Sequence, residues 1–457
     1  MKILLVNPPT CMHVVTPPLS LGYLASNIKN HEVKIIDSNK ENLNVNKTVK
    51  KILDLKPDVL GLTSFTMNYS EACQIISKVK DMDKEITTAL GGYHASALPR
   101  QVLAENKDVD YVFAGESEIS FSSLIEKIGN DNKKGIEKIH GLCYRNSKSK
   151  ICANKISILK NLDSLPFPAW NLIQPQTYPR KPHGVFIQNY PIAPIVTSRG
   201  CPFKCNFCSI RCVHGRSYRA RSIDNVIKEI EYLINEFGIK EIHIEDENFI
   251  LYRRRVIKFC KMLIEKKIEI SWSCPNGVRI DTLNRDLLKL MKMSGCFYLA
   301  FGIESGSKKM QNLMKKNLNL KTVEKIIKLT NEVGIKTQGF FIIGYPGETE
   351  KSIEQTIQFS KKLLLDRAAF LTFVPLPGSQ IYDELSKNGL LKSINWKRYK
   401  VSMPFYVGGI EGDEIKKYCK KAFLSFYLRP KISLNLLRDM KIKDLSFYWK
   451  NIEEYLF

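Results

Sequence analysis

Eleven short apolar runs, each closing on small or polar residues, constrain what this chain can fold into. Five lie within residues 1–140. Lys2–Val6 ends at Asn7-Pro8-Pro9, Val33–Ile36 at Asp37, and Val59–Leu62 at Thr63-Ser64. Ile86–Leu90 ends at Gly91-Gly92, and Tyr111–Phe113 runs on to Gly115-Glu116. Strand-length runs alternating with helix-length stretches predict a parallel sheet covered on both faces. Ligands of such a sheet sit outside the carboxyl ends of its strands. Glycines at Gly91 and Gly92 would let a flat or bulky ligand approach the backbone closely.

The other six runs lie between residues 190 and 390. Ala193–Thr197 leads into Ser198-Arg199-Gly200, and Glu241–Glu245 closes on Asp246-Glu247-Asn248-Phe249. Ile270–Cys274 precedes Asn276 and Arg279, and Tyr298–Phe301 precedes Gly302-Ile303-Glu304-Ser305-Gly306. Lys336–Ile343 runs into Gly344-Tyr-Pro-Gly-Glu348, and Ala369–Phe373 into Pro375-Leu-Pro-Gly378. Six βα-type units predict a βα barrel, complete or partial, with its chemistry at the strand carboxyl ends. Within it Ser222–Gly238 reads as a helix, with apolar Val226, Ile230, Leu233 and Ile234 on one face. Residues 141–190 read as a proline-containing strap in which Trp170 is a packing anchor. The fold class is therefore α/β: a Rossmann-like domain at 1–140, the strap, a barrel at 191–390 and a helical basic extension at 391–457.

Cys201-Pro-Phe-Lys-Cys205-Asn-Phe-Cys208 places three thiols in one tight loop, spaced Cys-x3-Cys-x2-Cys. Soft thiolates at this spacing favour an iron–sulfur cluster or zinc. A zinc ribbon would want a second Cys-x2-Cys pair or paired histidines downstream. The nearest extras are Cys212 and His214, and Cys205, Cys208 and Cys212 form an alternative triplet. Three ligands on a four-iron cluster leave one iron open to bind something else.

Residues 197–208 resemble the cluster loop of the radical S-adenosylmethionine superfamily, and Phe207, just before the last cysteine, fits the pattern. The resemblance implies a [4Fe-4S] cluster on Cys201, Cys205 and Cys208, with Cys212 left out. Its open iron would chelate the amino and carboxylate groups of S-adenosylmethionine, and reductive cleavage would give a 5′-deoxyadenosyl radical. It further implies a six-stranded partial barrel, with Asp246 and Glu247 near the methionine amino group. Glu304 and Ser305 would meet the ribose or carboxylate, Asn276 and Arg279 the sulfonium compound, and Gly344 the adenine. A reductant such as flavodoxin or ferredoxin and anaerobic use follow from the same resemblance.

Residues 1–140 resemble the cobalamin-binding domain that precedes many such barrels. Ser64 and Gly91-Gly92 fall where that family surrounds the nucleotide tail. The Asp-x-His-x-x-Gly loop that ligates cobalt in methionine synthase is absent, and Asn7-Pro8-Pro9-Thr10 stands in its place. Cobalamin would thus lie among Asn7, Pro8, Pro9, Ser64, Gly91, Gly92, Gly115 and Glu116 with no histidine from that loop beneath it. His94 would face the corrin, or else be packed or at the surface. The alternative is a domain that has lost cobalamin and serves as a lid.

No apolar run reaches membrane-spanning length, and the twelve cysteines are scattered rather than laid out as a disulfide framework. A reduced cytosol is the expected compartment. The formal charge of +24 invites nucleic acid or an anionic surface as partner, but no dense basic block with interleaved aromatics stands out. Nucleic acid is therefore not expected. Residues 395–457 hold 13 Lys plus Arg against 7 Asp plus Glu. Tyr418, Phe423, Phe426 and Tyr427 fall in one helix of this tail, and Leu445, Tyr448, Trp449 and Ile452 in another. They read as a cover for the open side of the barrel, with contact to a lipid surface as the alternative.

The expected function is C-methylation of an unactivated carbon, by way of a 5′-deoxyadenosyl radical and methylcobalamin. Cyclisation, carbon–carbon coupling or deoxygenation on the same architecture is the alternative. tRNA methylthiolation is disfavoured, because only Cys11 and Cys73 precede Cys143. A non-catalytic electron carrier would not need acids and glycines at six strand ends. Whether the substrate is a small molecule, a lipid or a peptide stays open.

Overall fold

A computed structural model describes residues 1–10, 15–130, 134–180, 186–391, 394–399 and 410–439. The first sheet holds β1 (Lys2–Asn7), β2 (Glu32–Asp37), β3 (Val59–Thr63), β4 (Thr87–Gly91) and β5 (Tyr111–Phe113), then β6 (Leu142–Arg145) and β7 (Ile151–Ala153). Its order is β2-β1-β3-β4-β5-β6-β7, parallel as far as β5 and antiparallel after it. Side chains alternate across a strand, so Leu4 and Val6 enter one apolar layer and Ile3 and Leu5 the other. The strand order reverses between β1 and β3, opening a crevice at their carboxyl ends. The sheet continues past residue 140, because β6 and β7 fall inside the segment read as a strap. Its two strands, of four and three residues, are too short to stand out in that segment. Trp170 is indeed an anchor: it is buried, and its indole N–H donates to Glu229 Oε1 at 3.0 Å.

The second sheet is built from β8 (Ile192–Ile195), β11 (Glu241–Ile244), β12 (Ser271–Val278), β13 (Cys296–Glu304), β14 (Lys336–Ile343) and β15 (Arg367–Thr372). All six strands run parallel in sequence order, with β8 and β15 as edges, so the barrel is partial. The ribbon β9 (Ser198–Arg199) and β10 (Arg219–Ala220) sits above β8. The helix expected at 222–238 runs Ile223–Phe237. Ser222 caps its first turn, accepting from Asn225 N–H, and Gly238 ends it at φ +62°.

Helix Gly412–Tyr427 packs Ile415, Cys419, Ala422 and Phe426 into the barrel core. The Tyr427 hydroxyl donates to Ala368 C=O (2.8 Å) and accepts from Ala368 N–H (3.2 Å), so the helix covers edge strand β15. The expected helix around Leu445, Tyr448, Trp449 and Ile452 lies outside the described residues. No helix among the described residues is long and apolar enough to cross a membrane.

Candidate functional site

The cysteine loop is an excursion between β9 and β10. Gly200 enters it at φ +85°, where a Cβ would collide with the Ser217 carbonyl, so only glycine fits. Asp246 anchors the base of the loop. Its carboxylate accepts from Thr197 N–H (2.6 Å), the Thr197 hydroxyl (2.6 Å) and the Ser198 hydroxyl (2.5 Å). Arg255 grips the same threonine from the other side. This corrects the reading of Asp246 as a ligand-facing acid: it is buried, and both its oxygens are used within the protein. Glu247 stays closer to the loop, accepting from Gly200 N–H at 3.1 Å, and burial raises its carboxyl.

Cys201, Cys205 and Cys208 are half-buried, unbridged, and close enough that their charges influence one another. Burial pushes the Cys208 thiol up to about 11, so a metal would have to displace its proton. Among the described residues no three His, Cys, Asp or Glu side chains converge on a single-ion site. Three thiols at this spacing suit a polynuclear cluster with an open iron. Cys212 is turned elsewhere. Its sulfur lies 3.9 Å from the Tyr93 carbonyl and packs under Gly378, where a Cβ would sit 2.9 Å away. Phe207 packs against the Met310, Met314 and Tyr345 cluster, which fixes the loop rather than a ligand.

At the barrel mouth Glu304, in the left-handed region at φ +66°, pairs with Lys316 Nζ at 2.9 Å. Gly302 leaves space for this pair, since a Cβ there would stand 2.7 Å from Glu304 Oε1 and 2.8 Å from Lys316 Nζ. Arg279 lies 3.9 Å over the Phe203 ring, donates to the Lys316 carbonyl at 3.0 Å and pairs with Asp281 at 2.8 Å. It braces the cysteine loop. Asn276 is exposed at the mouth and donates to Glu245 at 2.5 Å.

Two expectations are corrected here. Ser305 is buried, its hydroxyl bonded to Thr356 Oγ1 at 2.9 Å, so it shapes the turn from behind. Gly344 faces Ile415, with only 2.8 Å between its missing Cβ and the Ile415 Cδ1. The open face expected for adenine is therefore filled by the C-terminal helix.

The turn after β14 is closed by Glu348, whose Oε2 accepts from Gly344 N–H (2.7 Å) and Tyr345 N–H (3.3 Å). Burial pushes this carboxyl up to about 7. The folded value lies above the ordinary 4.5, so the neutral acid is the form the fold prefers. Its contribution is fully present below pH 4.5 and is lost as pH rises through 7, on the order of 3 kcal/mol. Glu348→Gln is expected to flatten the melting temperature between pH 5 and 8, where the wild type declines. Parallel declines in both proteins would refute this.

On the first domain, Asn7 Nδ2 donates to Asp37 at 3.0 Å, and the Pro8 carbonyl accepts from Asn39 at 3.1 Å. Pro9 continues the same loop. Ser64 donates to the Gly91 carbonyl at 3.2 Å. Gly92, at φ +93°, would put a Cβ 2.5 Å from the Ser64 carbonyl, so glycine is demanded there by the neighbouring strand. Gly91 is open, with nothing nearer than 3.9 Å to a Cβ, and lies at the crevice. That bare edge fits a flat macrocycle.

His94 does not face the crevice. It stacks on Tyr69 at 3.9 Å, meets Trp396 edge-on at 4.5 Å and bonds Thr66 at 3.2 Å. Burial lowers its pKa to about 3, so it is a neutral core residue. Gly115 donates its N–H to Ser96 at 3.0 Å. Glu116 is likewise corrected: it belongs to the seam between the domains. It binds Arg219 (2.7 Å) and His214 (2.8 Å), with Arg199 at 3.7 Å. His214 also reaches toward Glu247 at 3.6 Å, and Arg199 pairs with Glu118 at 2.6 Å. Burial alone would raise the Glu116 carboxyl. Hydrogen bonds from His214 and Arg219 and the Arg199 charge outweigh it and hold it at about 2.

Sequence reasoning gave no role to Arg199, Arg219, Lys316 or Asn206, and it weighed His214 only as an extra ligand beside the cysteine motif. Of the four, only Arg199, beside the motif, and Asn206, within it, carried a local signal. Tyr93 is half-buried where the carboxyl end of β4 meets the cysteine loop: its carbonyl lies 3.9 Å from the Cys212 sulfur and its ring 6.4 Å from His214. The barrel mouth therefore faces the crevice of the first sheet.

A parallel sheet with a crevice at its switch point, set against a partial barrel with a three-thiol loop, defines a class of cofactor enzyme. Residues 195–360 match the radical SAM superfamily, and residues 9–125 match the B12 binding domain. An uncharacterized methyltransferase of Pyrococcus horikoshii is 34% identical over 96% of this chain and 95% of its own length. The chain belongs to the B12-binding branch of the radical SAM superfamily and is an enzyme of that class. Cytidylyl-2-hydroxyethylphosphonate methyltransferase of Streptomyces wedmorensis is 28% identical over 94% of this chain and 90% of its own. The fold also matches the radical S-adenosylmethionine methyltransferase TsrM of Kitasatospora setae, solved with cobalamin and a [4Fe-4S] cluster bound. Its TM-score is 0.68 at 17% identity, covering 85% of this chain and 75% of that one.

Proposed function

We propose that the protein methylates an unactivated carbon of a small molecule, lipid or peptide held between the crevice and the barrel mouth. The observation that carries this reading is the juxtaposition of the three-thiol loop with the carboxyl end of β4 across Tyr93. When bound, the cluster with S-adenosylmethionine supplies radical generation, and cobalamin supplies methyl transfer. The chain's own part is to hold, orient and exclude water. Cys201, Cys205 and Cys208 would ligate the cluster, and Asp246, Arg255 and Gly200 fix the loop that carries them. The Glu304–Lys316 pair presents fixed charges of both signs at the mouth, suited to an amino acid zwitterion. Gly91 leaves the crevice floor bare for the corrin, and neither Asn7-Pro8-Pro9 nor the inward-packed His94 offers an imidazole from below.

The test is anaerobic reconstitution with iron, sulfide and hydroxocobalamin, followed by metal analysis. About four irons and one cobalt per chain are expected. S-adenosylmethionine with a deuterated methyl group should then label the product. Product formed without label would move the reading to cyclisation, coupling or deoxygenation, and iron without cobalt would make the first domain a lid.

A further inference from the structure

Four acids follow β11 and β13, and three of them are committed to a neighbour. Glu245 accepts from Asn276, Asp246 from Thr197 and Ser198, and Glu304 from Lys316. The fourth, Glu247, reaches the entry of the cysteine loop. Its Oε2 accepts from Gly200 N–H at 3.1 Å, one residue before Cys201, and its Oε1 lies 3.6 Å from His214 Nε2. Burial raises this carboxyl, the adjacent Asp246 charge adds to the effect, and His214 opposes it.

His214 is fixed from its other side by the first domain. Its Nδ1 lies 2.8 Å from Glu116 Oε1. Glu116 also accepts from Arg219 through both oxygens (2.8 and 2.7 Å) and from Leu159 N–H (3.1 Å). A carboxylate so supplied with donors stays ionised, and it can only accept from Nδ1. The imidazole hydrogen therefore sits on Nδ1, and Nε2 is the nitrogen able to exchange a proton with Glu247. The other groups around the ring offer no second base. Arg219 donates to the His214 carbonyl at 2.9 Å, Arg199 stands 3.7 Å from Glu116, and the Tyr93 ring meets the imidazole edge-on at 6.4 Å. The His214 side chain is 17% exposed, so the path from Glu247 ends at water in the seam.

An amino acid whose nitrogen is to bind a metal must first lose a proton. The metal takes a lone pair, an ammonium has none, and an α-ammonium is largely protonated at pH 7. We infer that Glu247 accepts this proton from S-adenosylmethionine and that His214 carries it to the seam. The N–H bond breaks and its electron pair stays on nitrogen for the iron. The proton passes from Glu247 Oε1 to His214 Nε2, is held there as imidazolium between two carboxylates, and leaves to water. His214 acts through Glu247 and is a positioning residue, turned by a carboxylate of the other domain. The inference rests on the radical reading, since only a ligand of an open iron has this proton to shed.

The experiment measures how fast radiolabelled S-adenosylmethionine binds the reconstituted full-length protein, read by rapid filtration with the cluster kept oxidised so that nothing is cleaved. Without a relay only the free amine binds, and the rate climbs about tenfold per pH unit below the ammonium's value of roughly 7.7–8.0. The wild type is expected to bind at nearly one rate from about pH 6.5 to about pH 8. His214→Gln and Glu247→Gln should each regain the slope while keeping their iron. Imidazole in the buffer should flatten the profile of His214→Ala and leave that of Glu247→Gln steep. A packing defect alone would lower the rate at every pH and add no slope. A wild-type rate with the full slope, or variants as flat as the wild type, would overturn the relay alone. Wild-type protein that holds its iron yet binds no S-adenosylmethionine would sink the radical reading, and the relay with it.

Discussion

Alanine in place of Cys201, Cys205 or Cys208 is expected to strip most of the iron and abolish S-adenosylmethionine cleavage, whereas Cys212→Ala retains both. The asymmetry follows from the geometry. The three ligand thiols lie within eight residues of one loop at the Cys-x3-Cys-x2-Cys spacing. Cys212 points its sulfur toward Tyr93 and Gly378 instead. A cluster with two remaining thiolates loses a covalent anchor, and the loop's other thiol, Cys212, has its sulfur against the Tyr93 carbonyl and Gly378. Iron content, the visible spectrum and 5′-deoxyadenosine release are the measurements. A Cys212 variant that loses iron while one of the other three keeps it would overturn the assignment.

Glu116→Ala is expected to lower stability by roughly 3–5 kcal/mol, because it leaves the Arg219 guanidinium buried without its carboxylate, while Arg199 keeps Glu118. Glu116→Gln, which keeps an acceptor for Arg219, should cost clearly less. The wild-type carboxyl, held at about 2 against an ordinary 4.5, contributes stability that is present above pH 4.5 and lost as pH falls through 2. Thermal melting of the two variants beside the wild type, at pH 7 and at pH 4, reads the effect. A Glu116→Ala protein that melts with the wild type at pH 7 would show that this network does not hold the domains together.

The strands were legible because each is a short, buried run with a polar end. Lys336–Ile343 and Tyr111–Phe113 have the observed limits, and β12 and β13 extend only a few residues further than expected. The β6–β7 hairpin was not, since its short strands fall past the last helix of the first domain, in the segment read as a proline-containing strap. The cysteine loop stood out by its spacing, though spacing left the Cys205, Cys208 and Cys212 triplet open and the choice of Cys201 came from the resemblance. Its neighbours were less so, because a residue type at a strand end does not say which way the side chain turns. Asp246 and Ser305 turn into the protein, where they fix backbone. Gly344 has its open side filled by Ile415, which lies about seventy residues further along the chain. Glu116 looked like a crevice residue and is a seam residue, since its partners Arg199, His214 and Arg219 come from the second domain. Such pairings depend on how two domains meet, which no local pattern records.

One packing detail bears on how the molecule is made. The aromatic box around His94 is completed by Trp396, about three hundred residues later in the chain. At synthesis rates of about 5–20 residues per second, the first domain would wait on the order of 15–60 s for that ring. Until then the face formed by Tyr69 and His94 is uncapped as the chain leaves the ribosome. A nascent chain halted anywhere inside the barrel would therefore carry a cobalamin-binding half that is folded yet unfinished, with an apolar surface on which chaperones can act.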